Sequence, residues 1–225
     1  MAALPVWLQA LGWVLAPALL LASLRGLSLE RYRGDGGAEA RRVLLAAALL
    51  LVSLRWLNTA ALDGVVLHFL GASVATLMFG GRVACWMMAL ASLAAVLGGA
   101  AWQGSWPLDF LLSGALPVAV TLGVGVAARY LLPANIITYV MANAFGAAAL
   151  AMAASMLATA ALAAMLSGPE AVFGGPATAY LAATPLLMLG EAFLTGGVMV
   201  TVVVYRPQWC PGFDDRTYFG PGRSM

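Results

Sequence analysis

Residues 179–204 read AYLAATPLLMLGEAFLTGGVMVTVVV, an apolar run of 26 residues that contains a single charged side chain, Glu191. About 20 consecutive apolar residues are enough for an α-helix to cross the hydrocarbon core of a bilayer. Every backbone N–H and C=O group in such a segment must be hydrogen-bonded within the protein, and a helix does this within the segment itself. The run therefore predicts a transmembrane helix with a carboxylate near its middle.

The same apolar pattern continues along most of the chain. Hydrophobic residues make up 63% of the 225 residues and charged residues only 9%, whereas about 25% of the residues in a soluble domain are charged. We therefore predict an all-α, polytopic integral membrane helical bundle that forms a single transmembrane domain over residues 1–225. The seven predicted spans are 6–24, 43–61, 62–80, 83–101, 109–131, 136–165 and 179–204.

The arginines predict the orientation of these spans. All eleven basic residues are arginine, and ten of them fall in alternate loops or in the C-terminal tail, which leaves only Arg55 for the other side. Arginine-rich loops remain in the cytoplasm. We therefore predict an outside N-terminus, a cytoplasmic loop at 25–42 and a cytoplasmic tail at 205–225, in a bacterial inner (plasma) membrane.

Several classes of function lack the residues that they need. A Walker A phosphate loop requires a lysine, and the chain has none. Cys85 and Cys210 are too far apart in the sequence to form a metal-binding motif. No Ser/His/Asp or Cys/His arrangement typical of a catalytic nucleophile is present, so we predict no enzyme activity. Basic runs with interleaved aromatic residues are missing too, so we predict no nucleic-acid partner.

The only histidine, His68, falls in the third predicted span, LDGVVLHFLGASVATLMFG (62–80). If this span is a helix, the histidine shares a face with small residues that allow close helix packing: Gly64, Gly71, Ala72 and Ala75. An imidazole at this depth is either a functional residue or a hydrogen-bonding group that joins two helices. Asp63, at the start of this predicted helix, is either a second polar group of the same site as His68 or an N-cap residue of the helix.

Three other polar residues enter predicted spans. Glu191 must pair with a cation, take up a proton or line a polar cavity, and Arg55 is its candidate cationic partner on the outer side. A structural ion pair and a role in binding or translocation both fit this carboxylate. Asn143 lies deep in the sixth span, where asparagine commonly hydrogen-bonds to another helix.

Four segments resemble a known family of transport proteins. They are HFLGASVATLMFG (68–80), LLPANIITYVMANAFGAAALAM (131–152), GEAFLTGGVMVTVVVYRP (190–207) and FDDRTYF (213–219). With these segments the chain resembles the CbiM-like permease proteins of energy-coupling-factor ABC transporters, and in particular their poorly characterised bacterial branch.

The resemblance implies capture of a divalent transition-metal ion, cobalt or nickel, with copper and zinc left open. It also implies membrane partners, namely a transmembrane coupling protein and cytoplasmic ATPase subunits, in addition to lipid. His68 matches the metal-binding histidine of the family's His-x-x-Gly segment. Metal-capturing members also begin Met-His and use the terminal amine and that histidine as ligands, whereas this chain begins Met1-Ala2-Ala3. The implied ligands here are His68 and the amine of Met1, with Asp63 as an oxygen donor.

Two functions are compatible with this pattern. The first is a substrate-capture component of a metal-uptake transporter. The second is a non-transporting membrane scaffold, or accessory subunit of a larger membrane complex, which keeps the same fold. The absence of a second histidine favours the second hypothesis, and the lack of an ATPase motif is compatible with both.

Overall fold

The computed structural model describes residues 4–34, 37–56, 59–62, 65–67, 70–98, 105–133, 135–167 and 176–210. Within these ranges the chain forms a helical bundle with one short antiparallel β-hairpin. The first elements are α1 (Val6–Leu24), α2 (Ala38–Trp56), β1 (Thr59–Leu62), β2 (Val65–Leu67), α3 (Ala72–Phe79) and α4 (Gly81–Leu97). Short 3₁₀ turns occur at Glu30–Tyr32 and Pro207–Trp209.

Three long helices complete the bundle. Helix α5 (Trp106–Leu131) contains a π-helical turn at Leu111–Ala115. Helix α6 consists of Ile136–Thr138, a π-helical segment at Tyr139–Gly146 and a regular part at Ala147–Ser167. Helix α7 (Pro176–Tyr205) pairs with α6 along much of its length. The polytopic helical bundle that the hydropathy predicts is thus confirmed.

Within the described ranges, four helical segments are long and apolar enough to cross a membrane: Val6–Leu24, Trp106–Leu131, Ile136–Leu166 and Leu181–Tyr205. Helix α4 is apolar but has only 17 residues. Helix α2 has 19 residues and carries charged side chains at both ends. Large apolar side chains such as Trp7, Leu49 and Leu186 face outward, which is the surface that a bilayer requires.

The prediction of a continuous helix over 62–80 is wrong. Strands β1 and β2 pair antiparallel, with Leu62 opposite Val65, and helix α3 begins only at Ala72. An Asp-Gly dipeptide separates the strands in the sequence, and this is a strong signal for a two-residue hairpin. The predicted shared face of His68 and Gly64 concerns residues outside the described ranges.

The second predicted span, 43–61, is also displaced. Helix α2 begins at Ala38 and ends at Trp56, and residues 59–62 belong to β1 instead. The charged residues at 39–42 enter the first helical turns rather than remaining in the loop. The other predicted spans agree with observed helices to within a few residues over the described ranges.

Helix α3 lies at the centre of the bundle, in contact with α4, α5, α6 and α7. Its eight residues cover about 12 Å at helical rise, which is far less than the roughly 30 Å core of a bilayer. Six of its side chains are buried: Ala72, Ser73, Ala75, Thr76, Met78 and Phe79. The start of α3 therefore lies inside the protein, where its backbone N–H groups need partners.

The arginine-rich segments meet at one end of the bundle. Arg82 Nη1, at the start of α4, donates to Gly26 O at 3.0 Å in the first loop, and Arg31 Nη2 of that loop donates to Gln208 O at 2.6 Å. Trp209 Nε1 donates to Glu39 Oε1 at 3.0 Å. The first loop, the start of α4 and the segment after α7 thus share one end, as the alternating arginines predict.

Candidate functional site

Glu191 holds the beginning of α3 through its carboxylate. Its Oε2 accepts a hydrogen bond from Leu70 N at 3.1 Å, and its Oε1 accepts one from Gly71 N at 2.8 Å. The side chain is almost wholly buried, at 1% exposed. One carboxylate thus satisfies two backbone donors that would otherwise be unpaired at a helix N-terminus inside the protein.

The backbone at Gly71 explains why this contact forms. Gly71 has φ of +63°, a left-handed conformation that glycine adopts without steric penalty. A Cβ atom at this position would lie 2.5 Å from Leu51 Cδ2 of α2. Glycine therefore lets the chain turn into α3 while α2 packs against it, so that the two N–H groups point towards α7.

A second pair of contacts joins α3 to α5. Ser73 Oγ lies 2.8 Å from Thr121 Oγ1, and the Thr121 hydroxyl donates to Pro117 O at 2.8 Å. Because the Thr121 hydrogen is used in that bond, Ser73 is the donor to Thr121. Helix α3 is therefore held to α7 at its first turn and to α5 on its side.

Arg55 does not pair with Glu191, so that prediction is wrong. It forms a salt bridge with Asp109 of α5, and its Nη2 also donates to Ser92 Oγ of α4 at 2.8 Å. Arg55 and Asp109 are 1% and 2% exposed. The pair joins the end of α2, just before the β-hairpin, to α4 and α5. The two acidic side chains in the bundle interior thus have different partners.

Asn143 lies in the π-helical segment of α6, and its side chain is buried. Its Oδ1 has no hydrogen-bond partner among the described residues, and the same holds for Oγ1 of the fully buried Thr195. Thr76, Thr121, Thr159 and Thr201 each donate to the carbonyl four residues earlier. Buried groups without a protein partner usually bind ordered water or a ligand.

Asn143 and Thr195 lie close to one contact between α6 and α7. A Cβ atom on Gly196 would lie 2.1 Å from Phe145 Cε2, so the Phe145 ring packs directly over that glycine. Thr195 precedes Gly196, and Asn143 is two residues before Phe145. Because π-helical turns are frequent at functional sites, the Asn143 segment is a second candidate position beside the Glu191 contact.

An apolar cavity of about 310 Å³ lies on the other side of Gly71, between α2, α3 and α7. Its walls are apolar, with Leu54, Val74 and Trp209 among them. These walls offer almost no polar surface to a cation. The cavity is therefore not the candidate ion site.

The cysteines add no metal ligand. Both are free thiols, and burial raises the pKa of Cys210 to about 11, although the nearby Arg31 acts to lower it. Across the described ranges, no group of three or more His, Cys, Asp and Glu side chains converges.

The family of the chain follows from comparison with known families. A family model described as CbiM, the cobalt uptake substrate-specific transmembrane region, matches residues 2–209. The chain belongs to the CbiM family. No curated protein and no solved structure matches this CbiM chain.

The match extends the resemblance towards the N-terminus. It includes α1, α2 and the hairpin of the CbiM chain, whereas the quoted segments begin at residue 68. It ends at residue 209, so FDDRTYF (213–219) lies beyond it. The buried contacts of Glu191, Arg55 and Asn143 all fall inside the matched region.

Three predicted site residues of this CbiM chain, His68, Asp63 and Met1, lie outside the described residues. The prediction that they bind metal therefore stays a prediction. Sequence reasoning also missed several residues of the polar interior, namely Asp109, Ser92, Thr195 and the backbone of Leu70 and Gly71. Asp109 is the first residue of the predicted span 109–131 and therefore attracts no attention as a buried group. Backbone N–H groups occur in almost every residue, so a pattern of side chains does not indicate which of them bind Glu191.

Proposed function

We propose that this CbiM family member is the membrane component that captures a divalent transition-metal ion, cobalt or nickel, for uptake. The family match over residues 2–209 carries the proposal. The bundle interior supports it, because buried polar groups are expensive in a membrane protein and commonly mark the binding site or the substrate path. Glu191, Asn143 and Thr195 are such groups.

The ligands in this proposal are His68 and the N-terminal amine of Met1, with Asp63 as an oxygen donor. Transition-metal ions need several nitrogen, oxygen or sulfur ligands, so one imidazole alone would bind weakly. Leu70 and Gly71 follow His68 by two and three residues, and Glu191 holds both of them. In the sequence, His68 thus lies close to the two residues that bind Glu191.

The arginine-rich end faces the cytoplasm in this proposal, in a bacterial inner membrane. The positive-inside rule supports this orientation, which places the N-terminus outside, where the ion is captured. A transmembrane coupling protein and cytoplasmic ATPase subunits would complete an energy-coupling-factor transporter. The role is one of transport, and we assign no catalytic step to this chain.

The test is the metal content of the full-length protein. Wild type, His68→Ala and a control, Glu39→Gln, are purified in lipid nanodiscs, equilibrated with Co²⁺ or Ni²⁺, desalted and analysed by mass spectrometry. We expect bound metal in wild type and in Glu39→Gln, whose carboxylate is exposed at the arginine-rich end, and a large loss in His68→Ala. Absence of metal from wild type would refute the proposal.

A scaffold function remains the second candidate because residue 2 is Ala2 rather than histidine. Purification of the tagged chain from its native membranes separates the two. Stoichiometric co-purification of an ATPase and a coupling protein supports transport. Co-purification of another membrane complex, with no metal on wild type, supports the scaffold.

A further inference from the structure

We propose that the apolar cavity between α2, α3 and α7 is a binding site for an anionic phospholipid, with one acyl chain inside the cavity and the phosphate group beside Arg42 and Arg206. The inference goes beyond the proposed function. It requires neither metal capture nor a particular orientation of the chain in the membrane.

The walls of the cavity have the chemistry of a hydrocarbon site. They are apolar and come from three helices, with Leu54 of α2, Val74 of α3 and Val198 of α7 among them. Leu50, also on the α2 wall, is exposed on the outside of the bundle, so the cavity is open to the surroundings of the protein there. Around a membrane-spanning bundle those surroundings are lipid chains. Water would find almost no hydrogen-bond partner on these walls, so an acyl chain is the ligand that suits them.

The dimensions of the cavity match a single acyl chain. Along α2 the lining runs from Val43 to Leu54, which is about 16 Å at helical rise. One leaflet supplies about half of the roughly 30 Å hydrocarbon core, so the cavity extends over about the depth of one leaflet. Its volume is about 310 Å³, whereas a helix about 10 Å wide would occupy on the order of 1,000 Å³ over the same length. The space therefore holds a lipid chain but not a partner helix.

One end of the cavity lies at the arginine-rich end of the bundle. Val202, near the end of α7, and Trp209, in the segment after it, line the cavity there. Arg31 Nη2 donates to Gln208 O at 2.6 Å, and Trp209 Nε1 donates to Glu39 Oε1 at 3.0 Å, so the indole is held in place. Tryptophan commonly lies at the membrane–water interface. A lipid in the cavity would therefore have its headgroup at this end.

Two arginines are placed to bind a phosphate group at this end. Arg42 is exposed and lies one helical turn before Ala46, on the face of α2 that lines the cavity. The guanidinium carbon of Arg206 lies 6.0 Å from the centre of the Trp209 ring, and its side chain is 57% exposed. A planar guanidinium can form two parallel hydrogen bonds to phosphate oxygens.

The charge at this end favours an anionic headgroup over a zwitterionic one. Glu39 is the acidic group beside Arg206, with its Oε1 at 3.9 Å from Arg206 Nη1, which is too long for a hydrogen bond. Arg206 and Arg42 thus outnumber the one carboxylate. Basic groups next to membrane-spanning helices attract the negative headgroups of a membrane surface.

The experiment measures lipid binding to the full-length protein by native mass spectrometry, in a mild detergent and after co-purified lipid has been removed. Two lipids with identical acyl chains are titrated, anionic phosphatidylglycerol and zwitterionic phosphatidylethanolamine. Val198→Phe fills the cavity from α7. Val204→Phe is the matched control, because Val204 is 60% exposed and lies outside the cavity lining.

A second pair of variants tests the headgroup contacts. Arg42→Gln/Arg206→Gln removes the two charges beside the cavity. Arg82→Gln/Arg129→Gln removes two charges from exposed arginines that do not line it. Because both double variants lose the same net charge, a general attraction between the protein and anionic lipid affects them equally.

We expect wild type to bind one phosphatidylglycerol molecule about tenfold or more tightly than phosphatidylethanolamine, because each nearby arginine strengthens the attraction of an anionic headgroup. Val198→Phe should lose this molecule, since the ring takes the place of the acyl chain, and Val204→Phe should retain it. Arg42→Gln/Arg206→Gln should bind the two lipids almost equally, whereas Arg82→Gln/Arg129→Gln should keep the preference. Phosphatidylglycerol should raise the melting temperature of wild type but not that of Val198→Phe.

Several results would overturn the proposal. Equal affinity of wild type for the two lipids would do so, as would wild-type phosphatidylglycerol binding in Val198→Phe or an equal loss of preference in both arginine double variants. A dimer or a co-purified polypeptide that Val198→Phe abolishes, with no lipid on wild type, would show that another chain covers the cavity.

A second cavity-filling variant keeps the test decisive if Val198→Phe does not fold. Ala47→Leu fills the cavity from the α2 wall. Loss of the phosphatidylglycerol molecule in Ala47→Leu supports the proposal, and wild-type binding overturns it. Since these measurements contain no metal, their failure would leave the proposed function intact.

Discussion

At the scale of single residues, the interior of the bundle neutralises its two buried acidic side chains in different ways. Asp109 has a full cationic partner in Arg55, together with Ser92 nearby. Glu191 has two backbone N–H groups instead. The first arrangement supplies a full positive charge, whereas the second supplies only two neutral N–H donors. Arg55 and Asp109 thus join three helices, whereas Glu191 joins α7 to the start of α3.

The buried ion pair predicts that removing one partner destabilises the protein more than replacing both. We expect Arg55→Leu to lower the free energy of unfolding by about 3–5 kcal/mol, because it leaves the buried Asp109 carboxylate without its partner. The double substitution Arg55→Leu/Asp109→Leu should be clearly less destabilising, since two apolar side chains then replace the pair. Thermal unfolding in a fixed detergent measures both. A double variant no more stable than Arg55→Leu would contradict this explanation.

At the scale of elements, the short helix α3 and the hairpin before it replace one predicted span. The β-hairpin formed by β1 and β2, and Gly71 after it, both interrupt the apolar run over 62–80. A hydropathy profile does not reveal either interruption, because a hairpin and a helix can be equally apolar. The consequence is functional, since a helix that begins inside the bundle exposes N–H groups to the protein interior.

The contact between α6 and α7 can be tested by substituting Gly196, with the next residue, Gly197, as the control. Gly196→Ala would place Cβ 2.1 Å from Phe145 Cε2, whereas Gly197 has no neighbouring atom within 4 Å of a Cβ. We expect Gly196→Ala to cost about 1–3 kcal/mol of stability through overpacking. Gly197→Ala should be neutral or slightly stabilising, because alanine is the better helix former. Equal melting temperatures for the two variants would contradict the packing.

At the scale of the whole molecule, charge is segregated along the bundle. The first loop, the start of α4 and the segment after α7 place exposed arginines at one end, linked by the bonds of Arg31 and Arg82. The middle of the bundle carries few charges, and they are buried. This separation is what the positive-inside rule acts on during membrane insertion, and it underlies the proposed orientation.

The proposed orientation predicts from which side of the membrane a labelling reagent reaches each end of helix α1. Single cysteines at Val6→Cys and Glu30→Cys are introduced after Cys85 and Cys210 have been replaced by serine; both positions are exposed and flank α1. We expect a membrane-impermeant maleimide to label Val6→Cys in intact cells and Glu30→Cys only in inverted vesicles. The reverse pattern would show that the arginine-rich end faces outward.

The sequence by itself determined the class of protein, the long helices, the arginine-rich end and the resemblance to the CbiM family. These follow from hydropathy, charge and short motifs, which are properties of residues that are neighbours in the chain. It also indicated that Glu191, Arg55 and Asn143 are unusual, because polar groups in apolar spans are costly wherever they lie.

Only the tertiary structure decided which groups these residues meet. The Arg55–Asp109 pair joins residues 54 positions apart, and Glu191 reaches Leu70 across 121 positions. Such pairings depend on how the helices pack and where the chain turns. A pattern of residues that are neighbours in the sequence contains no information on either contact. The partner of Glu191 is also a pair of backbone groups, which every residue except proline carries, so no side-chain motif could indicate it.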